Sequence, residues 1–283
     1  MASFTNFATL SYNGGTTNSN IVTGEILEAL TAVKTAVSAN YSAGDRITYA
    51  LSLVNTGTAA VTDYTVTDNL GGYTVGANTV YPLAYNTGTV RYYINGVLQT
   101  APTVTAGPPL TVTGLTIPAG GSAVLIYETT ATPVAPLATG SSITNTATIT
   151  GVGLTNPITA QATVETATSA DLTISKALSP TTVTENGQIT YTFVISNTGN
   201  TEATATGNVV VTDTFAPILR NIAVTYNGTA WTEGTNYTYN AATGVFTTLA
   251  GQITVPAATF TQNTDGTFTV TPGTATLVIT GTV

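Results

Sequence analysis

The sequence has no cysteine, no histidine, one methionine and one tryptophan, and only 6% of its residues are charged. Without thiols or imidazoles, zinc fingers, haem ligation, Cys–His pairs and Ser–His–Asp triads are excluded. Positive charge is scarcest: five Lys and Arg stand against 13 Asp and Glu, a formal net charge of −8. That sign argues against nucleic acid and against anionic membrane surfaces as partners. No stretch approaches the ~18 apolar residues of a membrane span, so no membrane insertion is expected. With no Asp-x-Asp loop there is no calcium motif, and neither a metal nor a cofactor is expected. The start, Met1-Ala2-Ser3-Phe4-Thr5, lacks a basic segment followed by an apolar run, so no signal peptide is read there.

What is abundant is threonine: 67 of 283 residues, with 27 Gly, 14 Tyr and a hydrophobic fraction of 42%. Threonine, valine, isoleucine and tyrosine fit a pleated, half-buried surface, and the apolar fraction is enough for a packed core. Runs such as Ile47–Val54 and Ile189–Ser196 alternate with period two and end in Asn-Thr-Gly, a strand-and-turn pattern. Asn95-Gly96 and Asn227-Gly228 read as two-residue hairpin turns. Only Glu25–Lys34 has the local propensity of a helix. Its second half belongs to a repeat that reads as strand.

The repeat sets the architecture. Leu30-Thr31-Ala32-Val33-Lys34 matches Leu172-Thr173-Ile174-Ser175-Lys176, and Asn55-Thr56-Gly57 matches Asn197-Thr198-Gly199. Val66-Thr67-Asp68 matches Val211-Thr212-Asp213, and Val124-Leu125-Ile126 aligns with Leu277-Val278-Ile279 beyond an insertion. Many short strands at this spacing predict an all-β chain of two tandem immunoglobulin-like β-sandwiches. The boundaries are an N-terminal arm at 1–27, a first repeat at 28–166 and a second at 167–283.

The copies differ in phase. Repeat one continues into Ile143-Thr144-Asn145-Thr146-Ala147-Thr148-Ile149, whereas repeat two reaches Val283 without an equivalent. A matching string, Phe4-Thr5-Asn6-Phe7-Ala8-Thr9-Leu10, stands at the N-terminus. Asn145 precedes Lys176 by 31 residues and Asn6 precedes Lys34 by 28, so the two strings hold the same place before a repeat. The second sandwich is therefore expected to lack its last strand, and residues 3–12, with Phe4, Asn6, Phe7, Ala8 and Leu10, to be a donor strand. It can close back within the monomer or be given to a neighbour; donation is head-to-tail, need not close, and yields a homopolymeric filament of identical subunits.

The Leu172–Lys176 string, Asn197-Thr198-Gly199, Val211-Thr212-Asp213 and Ile143–Ala147 resemble the conserved-repeat family of bacterial surface proteins (domain of unknown function eleven). The resemblance covers about residues 30–165 and 170–283. A short acidic double repeat looks most like the appendage proteins of clostridial endospores. This implies a structural protein at the cell or spore surface, assembled from the mother-cell cytoplasm and held there by an anchoring protein. A monomeric adhesin or stalk module that binds glycan or host protein is the alternative.

The resemblance extends to chemistry. In pilin and adhesin sandwiches, Lys, Asn and a carboxylic acid meet in the core and form an isopeptide bond. Lys34 and Lys176 are the only lysines and hold equivalent positions. Desolvation lowers a lysine pKa and frees the neutral amine as a nucleophile, while a protonated carboxyl polarises the carboxamide. Carried over, this pairs Lys34 with Asn145 within the chain, assisted by Asp68. It pairs Lys176 with Asn6 between chains, assisted by Asp213. Self-modification of this kind is a single turnover, so the protein is not read as an enzyme. The plainer expectation is a solvated lysine or a weak salt bridge. Glu128 is another acid near the first site, but repeat two has Thr280 or Gly281 there. Trp231 and Tyr237, near a hairpin, are read as local packing or a lateral contact, with stacking on a sugar as the alternative.

Overall fold

The structure is a computed structural model that describes residues 2–26, 29–152, 154 and 156–283. Leu27 and Glu28, within the helix-prone stretch, lie outside the described residues. The backbone is strand up to Ile26 and again from Leu30, and the described residues contain no α-helix, only a 3₁₀ turn at Ala205–Gly207. No helix there is long and apolar enough to cross a membrane. The chain divides into two compact units, residues 1–135 with 142–165 and residues 136–141 with 166–283.

The N-terminal segment is an antiparallel hairpin. Its strands are β1 (Ala2–Asn6), β2 (Thr9–Tyr12), β3 (Gly15–Asn18) and β4 (Val22–Ile26). β1 pairs with β4 and β2 with β3, and among the described residues they pair with nothing else. Ala8 and Ser19 join the two halves through a 2.8 Å backbone hydrogen bond. Residues 3–12 are thus one arm of a two-armed element.

The first sandwich begins with β5 (Leu30–Ala36), β6 (Asn40–Tyr41), β7 (Arg46–Asn55) and β8 (Val61–Asp68). Short strands follow: β9 (Tyr73–Val75), β10 (Asn78–Val80), β11 (Leu83–Tyr85), β12 (Arg91–Ile94), β13 (Val97–Leu98) and β14 (Thr103–Thr105). It ends with β15 (Leu110–Ile117), β16 (Ser122–Ala131), β17 (Ser142–Thr150) and β18 (Ile158–Thr166). One sheet runs β13-β12-β16-β7-β5, with β11 on β16; the other runs β14-β15-β8-β17-β18-β6. Alternation decides the core: Ile47, Tyr49, Leu51 and Leu53 of β7 and Ala123, Leu125 and Tyr127 of β16 are buried, with half-buried or exposed residues between. Facing them are Tyr64, Val66, Leu115, Ile117, Ala147 and Ile149.

The second unit repeats the first sheet. Its strands are β19 (Leu172–Ser179), β20 (Gln188–Asn197), β21 (Thr212–Thr214), β22 (Arg220–Tyr226) and β23 (Thr229–Trp231). Then come β24 (Tyr237–Asn240), β25 (Val245–Thr248), β26 (Thr259–Gln262), β27 (Phe268–Thr271) and β28 (Gly273–Thr282). The order β19-β20-β28-β22-β23 is that of β5-β7-β16-β12-β13. The opposite sheet is shorter, β21-β25-β24, so β21 is paired on one side only among the described residues. Its counterpart β8, by contrast, lies between β15 and β17. Strands β26 and β27 form the hairpin of the insertion.

Two details show how close the duplication is. Asn95 and Asn227 have φ 48° and 49°, each followed by Gly at φ 80°, the left-handed pair that a tight hairpin turn requires. Buried Asn55 donates to Ala59 O at 2.8 Å and Pro118 O at 3.0 Å; buried Asn197 donates to Thr201 O at 2.7 Å and Pro256 O at 3.0 Å. The Asn-Thr-Gly motif is therefore a pin between loops. Strand register also moves one alignment: Leu125 faces Leu51 and Leu277 faces Phe193, so Leu125 matches Leu277, one residue away from the sequence alignment.

Candidate functional site

In the first unit Lys34 projects inward from β5 and Asp68 from the end of β8. Their Nζ and Oδ2 atoms are 2.5 Å apart, with side chains 0% and 1% exposed. The strand alternation that places Leu30 and Lys34 on the buried face of β5 accounts for the lysine's position. Leu70 N–H donates to Asp68 Oδ1 at 2.9 Å, and the Tyr127 hydroxyl donates to Oδ2 in a short contact. The ammonium lies 4.8 Å from the Tyr49 ring centre and 5.8 Å from that of Tyr127. Burial holds the Lys34 pKa down to about 8, against the opposing pull of Asp68. Burial first, then the Asp68 charge, pushes the Tyr49 and Tyr127 hydroxyls well up.

Asn145 enters from β17, the strand hydrogen-bonded to β8, two residues from Ala147, which pairs with Asp68 across the sheet. It is fully buried. Its carboxamide stands beside the Tyr49 and Tyr127 hydroxyls and offsets part of the rise in their pKa values. Yet neither its oxygen nor its nitrogen completes a hydrogen bond among the described residues, and the Tyr49 hydroxyl also lacks a partner. Leaving a buried amide unsatisfied costs about 1–3 kcal/mol per group, so such an arrangement calls for an explanation. Asp68 is engaged by Lys34, Tyr127 and the Leu70 amide. Glu128 is elsewhere, 3.8 Å from Arg46 at the surface.

The second unit holds the same pair in the open. Lys176 Nζ and Asp213 Oδ2 are again 2.5 Å apart, but the side chains are 40% and 18% exposed. Lys176 lies 4.4 Å from the Tyr191 ring centre, 5.4 Å from Phe193 and 5.6 Å from Phe215. Every residue of β19 from Thr173 to Ser179 is exposed, whereas Leu30 and Lys34 of β5 are buried. Asn6 lies in β1 opposite Val22. Phe4, Phe7 and Leu10 of the same arm are 54%, 54% and 63% exposed.

Sequence reasoning did not find Tyr127. In the second unit the corresponding position by register is Ile279, opposite Tyr191 as Tyr127 is opposite Tyr49, so the duplication could not flag it. Trp231 stacks on Tyr226 at 4.8 Å and Tyr237 packs on Phe246 at 5.2 Å, both inside the second unit. Among the described residues no cluster of His, Cys, Asp or Glu could hold a metal.

No protein-family profile matches the sequence, and no curated protein matches it. The chain is similar to solved structures of β-rich proteins. One is BcpA, the major pilin subunit of Bacillus cereus, at 14% identity over 96% of this chain and 73% of that one, TM-score 0.37. Another is RrgB, the pilus backbone of Streptococcus pneumoniae, at 13% identity over 86% of this chain and 55% of that one, TM-score 0.35. A third is the N-terminal domain of the Streptococcus gordonii adhesin Sgo0707, at 15% identity over 48% of this chain, TM-score 0.36. The chain spans about a third of the length of that adhesin structure (32%).

Proposed function

We propose that the protein is a structural subunit of a filament at a bacterial cell or spore surface, built head to tail from identical copies. The N-terminal strand of one subunit, residues 3–12, completes the second sandwich of the next, and Lys–Asn isopeptide bonds lock both units. The observation that carries this reading is the contrast between two equal Lys–Asp contacts. One is sealed by a strand bearing an unsatisfied asparagine; the other lies open beside an edge of β21 that has no strand partner among the described residues. A strand of the β17 type is what the second unit lacks among the described residues, and Phe4–Leu10 carries that sequence. The similarity to the conserved-repeat family, and through it to spore appendages, belongs to the same proposal.

The chemistry needs only groups already in place. Lys34 passes a proton to Asp68 Oδ2 along their 2.5 Å contact, an exchange eased by the depressed lysine pKa. The neutral Nζ adds to Cγ of Asn145. The protonated Asp68, held by Tyr127, and the neighbouring tyrosine hydroxyl stabilise the oxyanion that forms. The oxyanion then collapses: the Cγ–Nδ2 bond breaks, the asparagine nitrogen leaves as ammonia with the proton that Asp68 had received, and the second proton of Nζ passes to Asp68 in its place. One amide and one ammonia result, with no oxidant and no turnover. Asn6 of a neighbour would meet Lys176 and Asp213 in the same way. Like a disulfide closing a loop on the order of 100 residues, the Lys34–Asn145 bond would stabilise the fold by about 4–5 kcal/mol.

Deletion of residues 1–12 tests the assembly, read on boiled detergent gels. The expected result is loss of the covalent ladder; undiminished polymerisation would sink strand donation. Intact mass tests the chemistry, each bond removing one ammonia. A correctly folded chain of unchanged mass would reject the isopeptide.

A further inference from the structure

Strand β17 does not act alone in the first sandwich: it pairs with β18 along its length, and together they complete the sheet. In the N-terminal hairpin β1 and β4 have the same internal register; past Asn6 it shifts by one residue, Thr9 pairing with Asn18. Ser142 pairs with Glu165 and Ser3 with Glu25; Thr144 pairs with Thr163 and Thr5 with Thr23; Asn145 pairs with Ala162 and Asn6 with Val22. Between them, Ile143 pairs with Val164 where Phe4 pairs with Gly24. Ile143 and Val164 are both buried in the core. In the hairpin the Phe4 ring covers Gly24, and a Cβ placed there would lie 2.4 Å from it. A larger residue on one strand is matched by the smallest on the other, so the two arms are sized together to fill one space.

From this matched register we infer that the donated element is the whole hairpin, residues 2–26, seated on the second unit of another copy of this chain. The inference rests on the strand donation proposed above and specifies its geometry. β1 and β2 occupy the place of β17, beside β21; β3 and β4 occupy the place of β18. Asp68 pairs with Ala147 and Thr67 with Thr148, so Asp213 meets Ala8 and Thr212 meets Thr9. Phe4, Asn6, Ala8 and Leu10 then face inward, as Ile143, Asn145, Ala147 and Ile149 do. Val22, 56% exposed in the free hairpin, takes the buried place of Ala162. The outer face carries Thr5 and Thr23, at the positions where Thr144 and Thr163 meet with their hydroxyls 2.9 Å apart. On β4, Glu25 arrives at the position of Glu165, whose amide donates to Ala39 O at 2.8 Å. The edge that receives it in the second unit is the segment before β20. The partner is therefore bound through two strands, the outer of which seals the inner from water.

Substitutions at the Phe4–Gly24 pair separate a hairpin from a single strand. Gly24→Val in the full chain should cause loss of assembly, and Phe4→Ile with Gly24→Val, which recreates the Ile143–Val164 pair, should restore it. Assembly untouched by Gly24→Val would overturn the inference. A second experiment uses the absence of native thiols. Thr5→Cys with Thr23→Cys, closed by oxidation to a disulfide, locks the hairpin on its outer face. The locked chain should polymerise as the wild type does. Assembly that occurs only after reduction would mean that one arm peels away, overturning the hairpin while leaving strand donation intact. Thr9→Cys with Thr212→Cys, in the Asn6→Ala background, should give an intermolecular disulfide ladder. An internally closed monomer would overturn donation to a second copy. Donation itself falls if the Thr9–Thr212 disulfide closes within one monomer or if the chain lacking residues 1–12 still polymerises, whereas the Gly24→Val and locked-hairpin results bear on the hairpin alone, so the two failures are distinguishable.

Discussion

Lys34 and Lys176 make the same 2.5 Å contact with an aspartate, and one side chain is 0% exposed while the other is 40% exposed. The difference comes from the strand that lies beside the aspartate. In the first unit β17 covers the pair and brings a carboxamide to it; in the second, β21 has a neighbour on one side only among the described residues.

That difference is measurable with an amine-reactive ester, because the chain has only two lysines. In the folded monomer, peptide mapping should find Lys176 modified and Lys34 untouched. In the assembled polymer Lys176 should lose its reactivity. Equal labelling of both lysines in the monomer would contradict the burial.

Asp68→Ala should both stop the reaction and destabilise the first unit. Removing one partner of a buried pair leaves an uncompensated charge, at a cost of about 3–5 kcal/mol. Denaturant titration reads the stability, and intact mass should show the ammonia retained.

Tyr127→Phe removes the hydroxyl that holds Asp68 while keeping the ring. The stability cost should be about 1.5–3 kcal/mol, as for one hydrogen bond to a charged group. Ammonia loss followed by mass after folding should slow, whereas an unchanged rate would assign Tyr127 to packing alone.

The Asn145→Ala chain, in which Lys34 stays free to titrate, should gain stability as pH rises from about 8 towards 10.5. Its folded pKa is lowered from 10.5 to about 8, so in that window the unfolded chain binds the proton and the folded chain does not. Below it the penalty of burying the ammonium is fully present. The tyrosines act in the opposite sense: their hydroxyls are raised above 10.0 in the fold, so stability declines once the unfolded chain begins to release those protons. Denaturant midpoints between pH 7 and 11 should therefore pass through a maximum near 10.

Asn197→Ala should destabilise the second unit by about 2–3 kcal/mol, because the carbonyls of Thr201 and Pro256 lose a buried donor. Asn55→Ala should do the same to the first. Neither substitution should change the mass lost on folding.

Much of this was legible in the sequence because it is written twice. Lys34 and Asp68 stood out through Lys176 and Asp213, and the two Asn-Gly turns through each other. What lacked a copy was missed. Tyr127 corresponds to Ile279, so nothing marked it beyond its place on the inward face of an alternating strand. The second arm of the hairpin, Gly15–Ile26, is dominated by Thr, Asn, Ser and Gly and shows no apolar alternation, so only the pairing of backbones reveals it. The helical propensity of Glu25–Lys34 gave way on its described part to strand pairing, β4 with β1 and β5 with β7, an outcome set by contacts distant in sequence.

The stacking of Trp231 on Tyr226 has a practical consequence for following all of this. The chain's single indole reports on the second unit alone, so its fluorescence is a built-in dye for one half of the molecule. A transition seen by circular dichroism but silent in tryptophan emission belongs to the first sandwich. One seen by both belongs to the second. The two halves can thus be unfolded, stapled and assembled in the same tube and still be told apart by light.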